Sequence, residues 1–169
     1  HLIGEYNFNN IAAAITIANY FKVEDEAIKP GIENYIPNNN RSQVLMKDSN
    51  KIILDAYNAN PTSMHAALLN FEKLNDKIKV AILGDMFELG QEAEKEHQNI
   101  VDLASTLLFD SIILIGANFY KTKIVSPKVS VFKSFEDFKA TTNLQSLNNT
   151  TLLIKGSRGM ALERTLELL

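Results

Sequence analysis

The chain has 169 residues, 46% of them hydrophobic and 22% charged, the balance of an ordinary globular protein with room for one sizeable domain or a domain plus a further piece. A net charge of -3 supplies no global basic field for nucleic acid, and the absence of cysteine excludes disulfides and thiolate metal sites and fits a reducing, cytoplasmic setting. No apolar run approaches the ~18 residues that a membrane helix needs. The start, His1 to Asn7, is polar and mixed and shows no signal-peptide pattern; lacking an initiator Met, the chain is expected to begin inside a longer protein.

In chain order, Asn9 or Asn10 is placed to cap a helix through Ile11–Ala18. That run is Ala-rich and apolar nearly all round, as in a helix made to be buried against a larger body. Glu24 to Tyr35 reads as a second helix, broken or kinked at Pro30-Gly31. Pro37-Asn38-Asn39-Asn40 is a turn-rich stretch, and a domain boundary is expected there. Ser42–Lys47 and Lys51–Ala56 read as strands around the turn Asp48-Ser49-Asn50. Pro61 opens a helix to about Asn75. Lys79–Leu83 is a buried strand ending at Gly84-Asp85, and a long amphipathic helix follows from about Gln91 to Leu108. Ser111–Ile115 is another buried strand, Val129–Phe132 a weak one, and Phe135–Thr142 a short helix. Thr151–Ile154 is the last strand, leading through Lys155-Gly156-Ser157-Arg158-Gly159 into a helix to Leu169.

Apolar strands alternating with helices predict an α/β fold: a mostly parallel sheet with helices on both faces. Such sheets bind ligands beyond the carboxyl ends of their strands. The unusual residues sit at three such ends. Asp55-Ala56-Tyr57-Asn58-Ala59-Asn60-Pro61 offers two Asn side chains and a helix N-terminus to an anion, although Asn, Asp and Pro also serve plain turns and caps. Lys155-Gly156-Ser157-Arg158 can hold a carboxylate or phosphate, with Arg as a planar fork, or be an ordinary solvated turn. It lacks the spacing of a P-loop. Gly84-Asp85-Met86-Phe87-Glu88-Leu89-Gly90 sets two carboxylates between glycines, suited to an ammonium group, to positioning another side chain, or only to turning the chain. His1, His65 and His97 show no metal-binding spacing. His65 and His97 fall in expected helices, where packing is the common role, and neither is assigned a proton transfer. Glu92-Ala93-Glu94-Lys95-Glu96 reads as a solvated face near a helix start.

Four of these segments together resemble the Mur ligase family, and within it the MurF-type branch. Gly4 to Ala14 looks like the family's Asn-x-x-Asn segment. Asp55 to Met64, Leu83 to Gly90 with His97 downstream, and Lys155 to Arg158 are similar to MurF-type motifs, in matching order along nearly the whole chain. The resemblance implies that residues 1–40 are the tail of an ATP-binding central domain and 41–169 a Rossmann-like C-terminal domain. It implies Asn7 and Asn10 near the adenine, and Arg41 and Asp55 at the ribose and phosphates. Tyr57, Asn58 and Asn60 would line the cleft, and Lys155, Ser157 and Arg158 would help hold the acceptor, with Asp85 and Glu88 on the acceptor side. The implied reaction joins D-alanyl-D-alanine to UDP-N-acetylmuramoyl-tripeptide through an acyl phosphate, with ATP and Mg2+, in a cytoplasmic and monomeric enzyme of peptidoglycan precursor synthesis. The family's P-loop and magnesium ligands belong upstream of His1, so this chain alone is expected to have no ligase activity. Two alternatives stay open: another Mur-type or folylpolyglutamate-type amide ligase, and a non-catalytic Rossmann-like binding module.

Overall fold

The computed structural model describes residues 7–169. The Gly4–Tyr6 part of the Asn-x-x-Asn segment lies outside them, as does His1. Two helices come first, α1 (Asn7–Tyr20) and α2 (Asp25–Glu33), followed by β1 (Gln43–Lys47), β2 (Asn50–Asp55), α3 (Pro61–Glu72), β3 (Lys79–Gly84), α4 (Ala93–Thr106), β4 (Ser111–Ile115), β5 (Val129–Phe132), α5 (Phe135–Thr141) and β6 (Thr151–Lys155). The strands form one sheet in the order β1-β2-β6-β3-β4-β5. Only β1 runs antiparallel to its neighbour, through a tight hairpin in which Asp48 takes a positive φ of 52°. The other four pairings are parallel.

The central strands are apolar on both faces because both faces are covered. Ala81, Leu83, Ile112, Leu114 and Leu153 pack against α3 and α4 through Met64, Leu68, Phe71, Ile100 and Val101. The alternate residues Ile52, Leu54, Ile82, Ile113 and Ile154 meet Phe135 and Phe138 of α5, Leu144 and Leu162 on the other side. Burial of each such side chain stabilises the fold by about 1.5–3 kcal/mol. Asn60 caps α3: its side chain accepts from Ser63 N at 2.8 Å while Ser63 Oγ accepts from Asn60 N at 3.1 Å. At the far end of α3, Lys79 Nζ donates to the carbonyls of Glu72 and Leu74 at 2.6 and 3.2 Å, satisfying groups that a helix C-terminus leaves open.

Four expectations about local structure change. Helix α1 is already under way at Asn7, so Asn9 and Asn10 are interior to it and cap nothing; Asn10 Nδ2 instead donates back to Asn7 Oδ1 at 3.2 Å. Helix α2 is not broken at Pro30 but continues to Glu33, with Asn34 N donating to the Pro30 carbonyl at 3.0 Å. The hairpin turn is Asp48-Ser49, since Asn50 pairs with Lys47 in the ladder. The chain after Lys155 is two 3-10 segments, Arg158–Met160 and Leu162–Leu168, in place of an α-helix. Ala161 between them is left-handed (φ 48°, ψ 46°), which breaks helical continuity and turns Leu162 down onto Gly84 and Gly156. A Cβ added at either glycine would come within 2.8 or 2.9 Å of Leu162 Cδ1.

Candidate functional site

The strand order decides where the polar clusters meet. The last strand, β6, inserts between β2 and β3, so the loops leaving β2, β6 and β3 become neighbours at one edge of the sheet. In the β2–β6 register Asp55 stands opposite Lys155. Lys155 Nζ lies 2.6 Å from Asp55 Oδ2 and 3.2 Å from the Asn58 carbonyl, with the Lys155 residue only 1% exposed. A lysine so deeply buried is stable as a cation only with such partners. Asp55 Oδ1 accepts from Ser42 N at 3.0 Å, which ties the segment before β1 to the same point. Just upstream, the Arg41 guanidinium lies 3.8 Å over the Tyr57 ring, and Tyr57 N donates to Asn40 O at 3.1 Å. A cation held over an aromatic face keeps its outward edge available for an anion.

These groups wall a cavity of about 240 Å³. Asn7 and Asn10 of α1 reach it from one side, Arg41, Asp55 and Tyr57 from the hairpin, and Asn58, Asn60 and Lys155 from the strand-end turns. The expected nucleotide residues and half of the expected cleft and acceptor residues (Tyr57, Asn58, Asn60 and Lys155) are therefore gathered around one opening. Cationic, carboxylate, amide and aromatic groups on one wall suit a ligand with a base, a sugar and phosphates.

The remaining expected residues are arranged differently. Asp85 is 2% exposed, and its carboxylate accepts from Asn118 N at 2.8 Å and Phe119 N at 2.9 Å. It is an interior anchor for the turn after β4, turned away from the cavity. Gly116 makes room for it: the φ there is +138°, and a Cβ would sit 2.2 Å from Asp85 Cγ. Ser157 is also buried; its Oγ accepts from Phe87 N at 2.8 Å and donates to Ala59 O at 3.4 Å, and its own N–H donates to Asp85 O at 3.1 Å. Ser157 thereby stitches the three strand-end loops together. Glu88 is exposed at a positive φ of 63°. Arg158 is exposed and meets Glu163 at 3.0 Å, a surface pair that leaves the guanidinium accessible.

Two residues outside the expected site matter here, Ser42 and His97. Ser42 contributes through its backbone, which no composition signal marks. His97 is completely buried and contacts the Gly84–Gly90 loop, whereas helical spacing alone marks it only as packing.

Comparison with known proteins places this geometry in a family. The model of the "Mur ligase, glutamate ligase domain" matches residues 40–158. The chain belongs to the Mur ligase family. It is 34% identical over 169 residues to the UDP-N-acetylmuramoyl-tripeptide–D-alanyl-D-alanine ligase of Treponema pallidum, covering 96% of this chain and 37% of that protein. A crystal structure of MurF from Acinetobacter baumannii superposes with a TM-score of 0.82 at 29% identity, over 97% of this chain and 37% of that one. Folylpolyglutamate synthase of Mycobacterium tuberculosis, complexed with ADP, shares the fold at a TM-score of 0.64 and 18% identity, over 98% of this chain and 40% of that one. The chain thus spans little more than a third of the length of these relatives.

Proposed function

We propose that the chain is the C-terminal portion of a MurF-type ligase, which joins D-alanyl-D-alanine to UDP-N-acetylmuramoyl-tripeptide at the expense of ATP in the cytoplasm. Residues 1–40 are the tail of the ATP-binding central domain, and residues 41–169 are the acceptor-binding domain. The observation that carries this reading is the shared cavity: Asn7 and Asn10 from the helical tail and Arg41, Asp55 and Lys155 from the sheet domain wall one opening. The activity for which these relatives are named and the matching motifs support the choice of acceptor.

In this reading the terminal carboxylate of the tripeptide attacks the γ-phosphorus of ATP, giving an acyl phosphate and ADP. The amine of D-alanyl-D-alanine then attacks the acyl carbon, the amide forms, and inorganic phosphate leaves with the bonding pair. Water would hydrolyse the acyl phosphate, so this domain contributes by closing the cleft and orienting the amine. Asn7 and Asn10 serve the adenine, and Arg41 and Asp55 the ribose and phosphates. Tyr57, Asn58 and Asn60 line the cleft between nucleotide and acceptor. Arg158, the exposed cation of the last turn, pairs with the acceptor carboxylate, while Lys155 and Ser157 fix the turn that presents it. Asp85 supports that turn from inside, and Glu88 lies at the rim on the acceptor side.

Among the described residues no group of three or more His, Asp or Glu side chains gathers as a metal site. This reading assigns the ligands of the family's Mg2+ to the part of the parent upstream of His1. The same reading makes the 169-residue chain inactive alone and the parent enzyme a monomer.

The test is phosphate release by the full-length parent with ATP, magnesium and UDP-N-acetylmuramoyl-tripeptide against a panel of acceptors. Release that depends on D-alanyl-D-alanine is expected. Release with a single amino acid instead would replace the acceptor and keep the ligase chemistry. No release with any acceptor would favour a non-catalytic binding module.

A further inference from the structure

His97 lies on α4, away from the cavity, and takes no part in the chemistry above. Its ring is 0% exposed and packs edge-on to Phe119 at 4.7 Å between centroids. Both ring nitrogens are engaged: Nδ1 is 2.6 Å from the Ala93 carbonyl, and Nε2 is 3.0 Å from Met86 N. A carbonyl only accepts and an amide N–H only donates, so the ring is neutral with its proton on Nδ1 and a bare Nε2. The nearer Asp85 oxygen is 3.6 Å from Nε2 and has its own donor in the Phe119 amide.

The residue after Met86 makes this geometry consequential. Phe87 N donates to Ser157 Oγ at 2.8 Å, and the Phe87 ring packs against Gly159, where a Cβ would meet it at 2.8 Å. Asp85 O, on the other side of Met86, accepts from Ser157 N at 3.1 Å. The stretch Asp85–Phe87 is therefore a strut held by His97 at its middle residue and by the Ser157–Gly159 turn at its two outer residues. One ring nitrogen fixes the direction of the Asp85–Met86 peptide, whose carbonyl accepts from Ser157 N, and the next peptide donates Phe87 N–H to Ser157 Oγ.

We infer that His97 is a positioning residue for the acceptor: its bare Nε2 sets the Asp85–Phe87 strut, which in turn holds the Ser157–Arg158 turn in the orientation that receives the acceptor. The inference rests on the proposed function, because it takes that turn as the acceptor's contact. The strut's own residues, Asp85 to Phe87, do not line the nucleotide cavity, so its loss acts first on the acceptor.

Steady-state kinetics of the full-length parent separates the two claims. Wild-type dependence on D-alanyl-D-alanine tests the proposed function by itself. The test of His97 uses H97Q, whose Oε1 reaches the place of Nε2, and H97N, whose shorter amide does not. Both bury a neutral amide, so they share any general folding cost. H97N is expected to raise KM for D-alanyl-D-alanine by roughly tenfold with KM for ATP unchanged, the size of effect that a small misplacement produces. H97Q is expected to stay within about twofold of wild type, by the same scale. Equal KM values in the two variants, or parallel rises for ATP and acceptor, would overturn the inference. If H97N yields no folded enzyme, amide hydrogen exchange in H97Q decides: protection at Met86 and Phe87 matching wild type supports the strut, and its loss with unchanged acceptor KM refutes it.

Discussion

The two helices at the start of the chain and the sheet that follows are built on opposite plans. In the sheet, two apolar layers close over β2, β6, β3 and β4, and their large aliphatic residues are almost wholly buried. Along α1 and at the turn after it large apolar side chains are exposed: Phe8 is 72% exposed, Ile17 58%, Tyr20 79% and Phe21 72%. A groove of about 270 Å³ between the helices is lined by Ile11, Ala14, Ile32 and Tyr35. An exposed apolar face of this kind marks a surface made to be covered, which agrees with the proposal that these helices close off a preceding domain. The sheet draws its stability from within; in the proposed reading the helical pair draws its stability from the rest of the parent.

Substitutions can sharpen or break that contrast. The largest effect is expected at the sheet's buried ion pair: Lys155→Ala leaves Asp55 without its cation and removes the donor to Asn58, costing about 3–5 kcal/mol in chemical denaturation of this chain. Next is Leu162→Ala, which empties the space over Gly84 and Gly156 and costs about 2–5 kcal/mol by the same measurement. Removing the cap with Asn60→Ala should cost about 1 kcal/mol and show first as faster amide exchange in the first turn of α3. The smallest change is expected from Ile17→Ser, within about 0.5 kcal/mol in this chain because the side chain is already in water. If Ile17→Ser destabilised the isolated chain as much as Leu162→Ala, the two regions would not differ as described.

Much of the sheet could be read from the sequence because its signals are local. Runs such as Lys79–Leu83 and Ser111–Ile115 are short, apolar and bounded by Gly or Asp, and they became strands with nearly the expected ends. The clusters at strand ends were equally visible, since Asn, Gly and Pro punctuate them. Local signals failed where distant parts of the chain decide the outcome. The segment after Lys155 has helix-forming residues, yet Ala161 adopts a left-handed conformation so that Leu162 can reach two glycines on different strands. Asp85 looked like a carboxylate for a ligand, and the amides of Asn118 and Phe119 claim it instead. Lys155 is legible as a cation at a strand end, for a ligand or for an ordinary solvated turn, and only the pairing of β2 with β6 shows that Asp55 neutralises it.

The position of β6 also governs when the protein can come into being. The strand is the last in the chain and the third in the sheet, pairing with β2 on one side and β3 on the other, so no strand joins β2 to β3 until it arrives. Asp55 and Lys155 are 100 residues apart in sequence. Non-local pairing of this kind is slow, because the loop entropy is spent before the contacts form. During synthesis from the N-terminus, the hairpin β1–β2 and the β3–β4–β5 unit emerge as two separate half-sheets with open edges. A nascent chain stalled before Thr151 would therefore display two unpaired strand edges to the chaperones and proteases around it, and the ligand cavity would be among the last features to form.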